Sequence, residues 1–290
     1  MKSIPVSEGF IPFRGYHTFY RVVGDLAWSS SGKLPLLALH GSPPSHEVLE
    51  PLEKITETGR PVIFYDQLGC GRSDRPDDPA LWKIGLYVDE LDAVRQALHL
   101  ENLHLLGHSW GGVVVMEYAL RKPSGLASLI LASTIVSRAM LDADWERLKK
   151  ELPAEVYETL RQHEQAGTTD DPAYQRASRV IDLTHVCRVD PWPEYFDRAL
   201  EHRPVGKVDM SGWDIRGRLN EIRVPTLVTC GKYDCTTPAH PEIIHQGIRG
   251  SEFILFEESS HYAHVEETDR YLAVLDEFIT RKEQTAVLKV

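Results

Sequence analysis

An α/β fold built on one mostly parallel sheet, with helices on both faces and an inserted helical cap, is what this sequence predicts. Two observations carry that expectation. Short apolar runs of strand length alternate with amphipathic stretches of helix length, the rhythm of parallel strands joined by right-handed crossovers. That rhythm stops after Thr134 and resumes at Pro225, so the stretch between reads as an insertion into a sheet.

Taken in order, Thr18–Trp28 is rich in β-branched and aromatic residues and runs into Ser29–Gly32, which predicts a strand and a hairpin turn. Leu36–Leu39, Pro61–Tyr65, Leu103–Leu106 and Leu126–Leu131 have the length and continuous apolarity of strands buried on both faces. Between them, Ser45–Thr58, Gly85–Leu98 and Trp110–Arg121 have helical length and patterning; in the second, Leu86, Val88, Leu91, Val94 and Leu98 supply the apolar side. Beyond Thr134, Met140–Leu152, Ala154–Gln165 and Ala173–Asp182 read as helices, separated by proline-containing breaks. Thr226–Cys230, Pro241–Ile248, Glu252–Phe256 and Glu266–Arg281 restore the strand and helix alternation. The domain expectation is a core from residues 1–133 and 216–290, with a helical cap over 134–215.

The 290 residues are 42% hydrophobic and 26% charged, which is globular composition and excludes a disordered or collagenous chain. A net charge of −11 repels phosphate backbones and anionic lipid, so neither nucleic acid nor a membrane is expected as a partner. Cys70, Cys187, Cys230 and Cys235 follow neither a secreted disulfide framework nor a paired zinc spacing, so free thiols are expected. No signal-peptide core and no membrane-length apolar run is present, and the expected location is the cytoplasm.

Directly after the strand Leu103–Leu106 stands Gly107-His108-Ser109-Trp110-Gly111-Gly112, a G-x-S-x-G sequence between a predicted strand and a predicted helix. Small residues around the serine permit a sharp turn that lifts its hydroxyl above the sheet edge. Ser109 is therefore the candidate nucleophile. A serine hydroxyl needs a base, and an acid and a histidine are expected in later strand-end loops in that order. Asp234 follows Thr226–Cys230 in GKYDCTTP, and His261 follows Glu252–Phe256 in EESSHYAH. His264 shares that loop, but His261 is preferred because it precedes the helix. Asp66 precedes the serine and is followed by Gly69 and Gly71, which marks it as a turn residue.

An oxyanion hole needs two backbone donors. Trp110, next to the serine, supplies one; Ser42 supplies the other, because it keeps an N–H in the loop His40-Gly41-Ser42-Pro43-Pro44 whereas the prolines have none. Cys235, beside Asp234, and Trp192 and Trp213, each flanked by proline or glycine, are candidate substrate-pocket residues. His261 and His264 lack a third ligand or an HExxH sequence, so no metal and no cofactor is expected.

These segments, together with Asp66–Ser73 (DQLGCGRS), Val224–Asp234 (VPTLVTCGKYD), Ser259–His261 and His264–Glu267, resemble the proline iminopeptidase branch of the α/β-hydrolase superfamily, close to the L-amino-acid amidases. His163–Pro172 and His185–Pro193 are similar to the cap of that branch. The resemblance implies the α/β-hydrolase fold and a serine hydrolase that acts after an N-terminal residue or on a small amide. Three departures stand out. The branch's HGGPG loop is HGSPP here; the glutamate that usually follows the catalytic aspartate is replaced by Cys235; and Arg203–Trp213, where a second ammonium-holding glutamate is usual, contains none.

The expected activity is therefore cleavage of an amide or ester in a small molecule or short peptide through an acyl-enzyme, without the branch's standard recognition of an N-terminal ammonium. Three alternatives remain open: a true aminopeptidase in which another carboxylate, such as Asp209, Glu194 or Glu201, substitutes; acyl transfer or cyclisation in a biosynthetic pathway; and a binding protein without turnover.

Overall fold

The computed structural model describes residues 4–26, 32–42, 44–202 and 208–287. The chain begins with an antiparallel hairpin, β1 (Val6–Phe13) and β2 (Tyr16–Val23). Its turn is at Arg14 and Gly15, both in the left-handed region with φ of 50° and 85°. The hairpin thus forms earlier than the sequence indicates, because the partner of β2 is the preceding β1; β2 itself stops at Val23, before Gly24 with φ 102°. Residues 29–31 of the expected turn lie outside the described residues.

The six later strands fall where the apolar runs predict: β3 (Leu36–Leu39), β4 (Val62–Tyr65), β5 (Leu103–His108), β6 (Leu126–Ala132), β7 (Thr226–Gly231) and β8 (Glu252–Phe256). They form one eight-stranded sheet in the order β1-β2-β4-β3-β5-β6-β7-β8. The β1/β2 and β2/β4 pairs are antiparallel and all pairs from β4 to β8 are parallel. Side chains alternate across the sheet with period two. Leu37, Leu39, Leu105, Leu129 and Val228 pack on one face against α1 (Ile84–Ala97) and α2 (Trp110–Leu120), whereas Leu36, Ala38, Leu106, Ile130 and Leu227 face the other. That other face is covered by the 3₁₀ segment His46–Thr58, which contains Pro51, and by the C-terminal helix. Between β6 and β7 lie α3 (Arg138–Glu151), α4 (Ala154–Ala166), α5 (Pro172–Ile181) and α6 (Glu194–Glu201). α6 is a helix the patterning did not predict; Pro193 caps it just before the first turn, where a missing N–H costs nothing. The core resumes with α7 (Ala239–Gly247), α8 (Ala263–Glu266) and α9 (Thr268–Val287). Among the described residues no helix is long and apolar enough to cross a membrane.

Asp66, at the end of β4, is buried and holds the loop beside the site together. Its Oδ1 accepts from the His46 amide at 2.7 Å and His46 Nδ1 at 2.8 Å, and its Oδ2 from the Arg72 amide at 2.8 Å. A Cβ on Gly71, which has φ 46°, would stand 2.1 Å from that Oδ2, so the carboxylate and the glycine require each other. Burial would raise the Asp66 carboxyl, but the bonds and charge of His46 reverse the sign and bring it down to about 2.

Asp66→Ala is expected to cost about 3 kcal/mol in urea unfolding, because several buried donors lose their acceptor at once. The wild-type contribution of this carboxylate should be complete above its unfolded value of about 3.9 and disappear as pH falls towards 2. A variant within roughly 0.5 kcal/mol of wild type, the size of an ordinary surface change, would contradict this role.

Candidate active site

Ser109 joins β5 to α2 with φ 54° and ψ −118°, a conformation that costs a non-glycine residue about 1–3 kcal/mol. Its surroundings impose that turn. A Cβ on Gly107 would approach the Gly111 carbonyl oxygen to 2.4 Å, and one on Gly111 would approach the Leu39 carbonyl oxygen to 2.4 Å. A Cβ on Gly41 would meet the Ser109 Cβ at 2.5 Å. The glycines thus permit the ends of β3 and β5 and the start of α2 to close on one another. The Ser109 amide donates to the Ala132 carbonyl at 2.9 Å, and Thr134 Oγ1 donates to the Ser109 carbonyl at 2.8 Å.

Asp234 and His261 come from the loops after β7 and β8 and meet although 27 residues separate them. His261 Nδ1 donates to Asp234 Oδ1 at 2.7 Å, and the same oxygen accepts from the Thr236 amide at 2.8 Å and Thr236 Oγ1 at 2.9 Å. Both side chains are buried. Burial would raise the Asp234 carboxyl, yet the His261 charge and hydrogen bond hold it below the ordinary aspartate value. Burial would likewise lower the His261 imidazolium, but Cys235 and Asp234 beside it hold it well above the ordinary histidine value. The Cys235 thiol is itself pushed up by burial, so it is neutral near pH 7 and the Asp234 carboxylate supplies the stabilising charge.

Two more histidines pack behind His261. The His108 ring lies 4.8 Å from the His261 ring and 5.0 Å from the His264 ring. His108 Nε2 donates to the His261 carbonyl at 2.8 Å and His264 Nε2 to the Val48 carbonyl at 2.9 Å. Burial depresses both, His264 to about 4, so they are neutral struts that aim the loop. His264, the other histidine of this loop, is therefore turned away into the core.

Ser109 and His261 open onto one cavity of about 680 Å³, which Ser42, Trp110, Cys235 and Trp192 also line. Asp234 stands behind His261 and does not reach the cavity. The Trp110 amide is the first N–H of α2 and has no acceptor within its own helix. Ser42, in the loop after β3, lines the same cavity, and its carbonyl accepts from the Tyr262 hydroxyl in the histidine loop. Buried Gln67 bridges the two sides: its Nε2 donates to the His40 carbonyl at 2.9 Å, and its Oε1 accepts from Trp110 Nε1 at 2.7 Å. Of the expected pocket residues, Trp213 stands elsewhere. Its Nε1 donates to Glu117 at 3.0 Å and its ring packs on the core below α2, because the chain turns back onto the sheet there.

The roof of the cavity comes from the segment between β6 and β7, including Trp145, Phe196 and Met210, which patterning alone cannot separate from core residues. Asp209, Glu194 and Glu201 do not line it, and residues 203–207 of the stretch Arg203–Trp213 lie outside the described residues. Asp182, which carries no local signal in the sequence, is the carboxylate on this wall among the described residues. Burial raises it to about 6, and its side chain accepts from Ser178 Oγ at 3.5 Å. The two arginines of the wall are paired elsewhere, Arg138 with Asp142 at 2.6 Å and Arg179 with Asp190 at 3.0 Å. Asp234, Cys235 and His261 place donor atoms within 4.8 Å of one another, the one such group of metal-ligating type among the described residues; two of its three donors are bonded to each other.

Comparison with known proteins adds an independent line. The family model of the α/β hydrolase fold matches residues 35–268. The chain is 36% identical to a proline iminopeptidase of Heyndrickxia coagulans, over 94% of this chain and 98% of that one. The crystal structure of a proline iminopeptidase of Mycobacterium smegmatis superposes with a TM-score of 0.86 at 34% identity, covering 97% of this chain and all of the other. The crystal structure of VinJ superposes with a TM-score of 0.89, also at 34% identity, over 95% and 98% of the two chains.

In a histidine NMR titration, the His261 ring is expected to remain an imidazolium above pH 6.5, because the buried Asp234 carboxylate stabilises the cation. Asp234→Asn should bring the midpoint down to that value or below. A wild-type midpoint under 6.5 would contradict the coupling.

Proposed function

This chain belongs to the α/β-hydrolase fold family and to its proline iminopeptidase branch, and from that premise we propose that it is a serine hydrolase cleaving an amide or ester bond through an acyl-enzyme. One observation carries the reading: Ser109 and His261 share a cavity while the other nitrogen of His261 is bonded to a buried aspartate. Ser109 Oγ attacks the substrate carbonyl as His261 Nε2 takes its proton. Asp234 holds the ring with Nδ1 protonated and Nε2 free to act, and stabilises the imidazolium that results. The amides of Ser42 and Trp110 receive the negative oxygen. His261 returns the proton to the leaving group, the acyl group stays on Ser109, and water activated by the same histidine releases it.

The helices between β6 and β7 act in this reading as a cap, residues 134–215, over a core of 1–133 and 216–290. A cavity walled by both segments supports that division. Its apolar aromatic roof suits a small molecule or short peptide with an apolar acyl part. Cys235 is neutral where the branch usually has a glutamate, so a substrate ammonium finds no anion there. A second reading, an aminopeptidase, is favoured by Asp182, a poorly partnered carboxylate on the cavity wall.

Ser109→Ala should lose fluorophosphonate labelling and fall in turnover by on the order of 10⁴-fold, with unfolding unchanged. A tenth of the activity surviving, a roughly tenfold effect, would overturn the nucleophile. The acid limb of kcat/KM should lie above about 6.5, since only neutral His261 can accept the proton and its cation is stabilised.

Matched free-amine and N-blocked substrates separate the two readings. Comparable kcat/KM values are expected. A preference of about a hundredfold for the free amine, worth ~2.7 kcal/mol, that Asp182→Asn abolishes would establish the aminopeptidase instead.

A further inference from the structure

The insertion does more than roof the cavity, because one of its turns is bonded to both loops that carry the proposed acid and base. After α5 the helix widens into a single π-turn, Asp182–Val186, closed by the Cys187 amide donating to the Asp182 carbonyl at 2.9 Å. Such turns are rare and recur at functional sites. The last carbonyls of a helix have no partner within it. Here two consecutive ones are taken up by the core: the His185 carbonyl accepts from the Cys235 amide at 3.0 Å, and the Val186 carbonyl from the His261 amide at 3.1 Å.

His185 makes a second bond with its side chain. Its Nδ1 lies 2.8 Å from the Tyr233 carbonyl oxygen, which can only accept, so Nδ1 carries the proton and donates. Tyr233 and Cys235 flank Asp234. One residue of the insertion therefore grips the acid loop on both sides of the acid, while its neighbour Val186 holds the backbone of the base. Arg188 reinforces the clasp: its guanidinium stacks 3.9 Å over the Tyr233 ring, its Nη1 donates to the Glu258 carbonyl at 3.0 Å, and its amide donates to Glu266 at 2.7 Å.

We propose that His185 is a positioning residue for Asp234, setting through its paired bonds to Tyr233 and Cys235 the geometry in which the acid meets His261. The proposal rests on the assignment of Asp234 and His261 as acid and base. The His185 side chain has no place in the reacting set; it acts through the loop. A displaced carboxylate would hold the imidazole less well, and misplacements of about 1 Å near reacting groups cost up to about a hundredfold in rate.

The test compares His185→Ala, which deletes the donor, with His185→Asn, whose amide nitrogen can occupy the place of Nδ1. Because the backbone bond of residue 185 survives in both, the comparison isolates the side chain. His185→Ala should lower kcat by about tenfold to a hundredfold with KM within about twofold, and should shift the acid limb of kcat/KM down towards the ordinary histidine value. His185→Asn should recover kcat to within about threefold, leaving the limb near its wild-type position. The groups that face His261 and could also move this limb are Asp234, Cys235, His108, His264 and Tyr262, with Asp182 on the same cavity wall. All of them are unchanged in both variants, so a shift confined to His185→Ala reports the clasp.

A simple structural role predicts something different, namely a lower urea midpoint with the pH profile unmoved, and that result would overturn the proposal. So would equal defects in the two variants. Asp234→Asn, measured alongside, keeps the two levels apart. If it is severely impaired while His185→Ala is normal, the positioning role alone fails. If neither variant is impaired, the acid assignment fails and takes the positioning role with it.

Discussion

The close approach of three backbone segments at Ser109 is the constraint from which the rest of the site follows. The end of β3, the end of β5 and the first turn of α2 come so near that Cβ atoms at Gly41, Gly107 or Gly111 would stand 2.4–2.5 Å from their neighbours. Only with that approach does the left-handed turn put the serine at the carboxyl edge of the sheet, in line with the Ser42 loop. The parallel strand order then does the remaining placement. Loops leaving β3, β5, β7 and β8 emerge along the same edge, so residues far apart in sequence are delivered to one crevice.

Electrostatics at that edge is set by burial working against pairing. An isolated buried carboxylate or imidazolium would be driven to its neutral form, yet Asp234 and His261 shift in opposite directions because each stabilises the charge of the other. His108 and His264, equally buried but bonded to carbonyls and not to an anion, move the other way. The contrast shows how three histidines in adjoining positions receive different jobs. Two are neutral packing and hydrogen-bonding struts, and one is the ring poised next to a carboxylate.

The insertion links the cavity to this electrostatic pair. Its helices supply most of the apolar cavity wall, and its π-turn is bonded to the backbones at Cys235 and His261. A wall residue, Asp182, opens the same turn whose end touches both loops. The arrangement makes the cavity wall and the Asp234–His261 pair parts of one mechanical unit, so a change in the insertion can be felt at that pair without touching it.

The strand rhythm from Leu36 onward, the interruption between Thr134 and Pro225, and the serine at G-x-S-x-G were legible in the residues alone. These are local signals: apolar runs bounded by breakers, and glycines where a side chain cannot fit. Asp234 and His261 were also legible, because chain order and strand-end placement narrow the choice among thirteen histidines. What stayed hidden depends on contacts between distant segments. The hairpin turn falls at Arg14 and Gly15 because the antiparallel partner of β2 is the preceding strand β1, and the β2/β4 pairing stops at Val23 although the local propensity continues to Trp28. Trp192 faces the cavity while Trp213, similarly flanked, bonds Glu117 of α2; no local feature of either sequence segment distinguishes them, since exposure to the cavity is decided by how the insertion docks. Asp182 and His185 were passed over for the same reason. An aspartate and a histidine at the end of a helix carry no local mark of function, and only tertiary packing sets one on the cavity wall and bonds the other to the chain on both sides of Asp234.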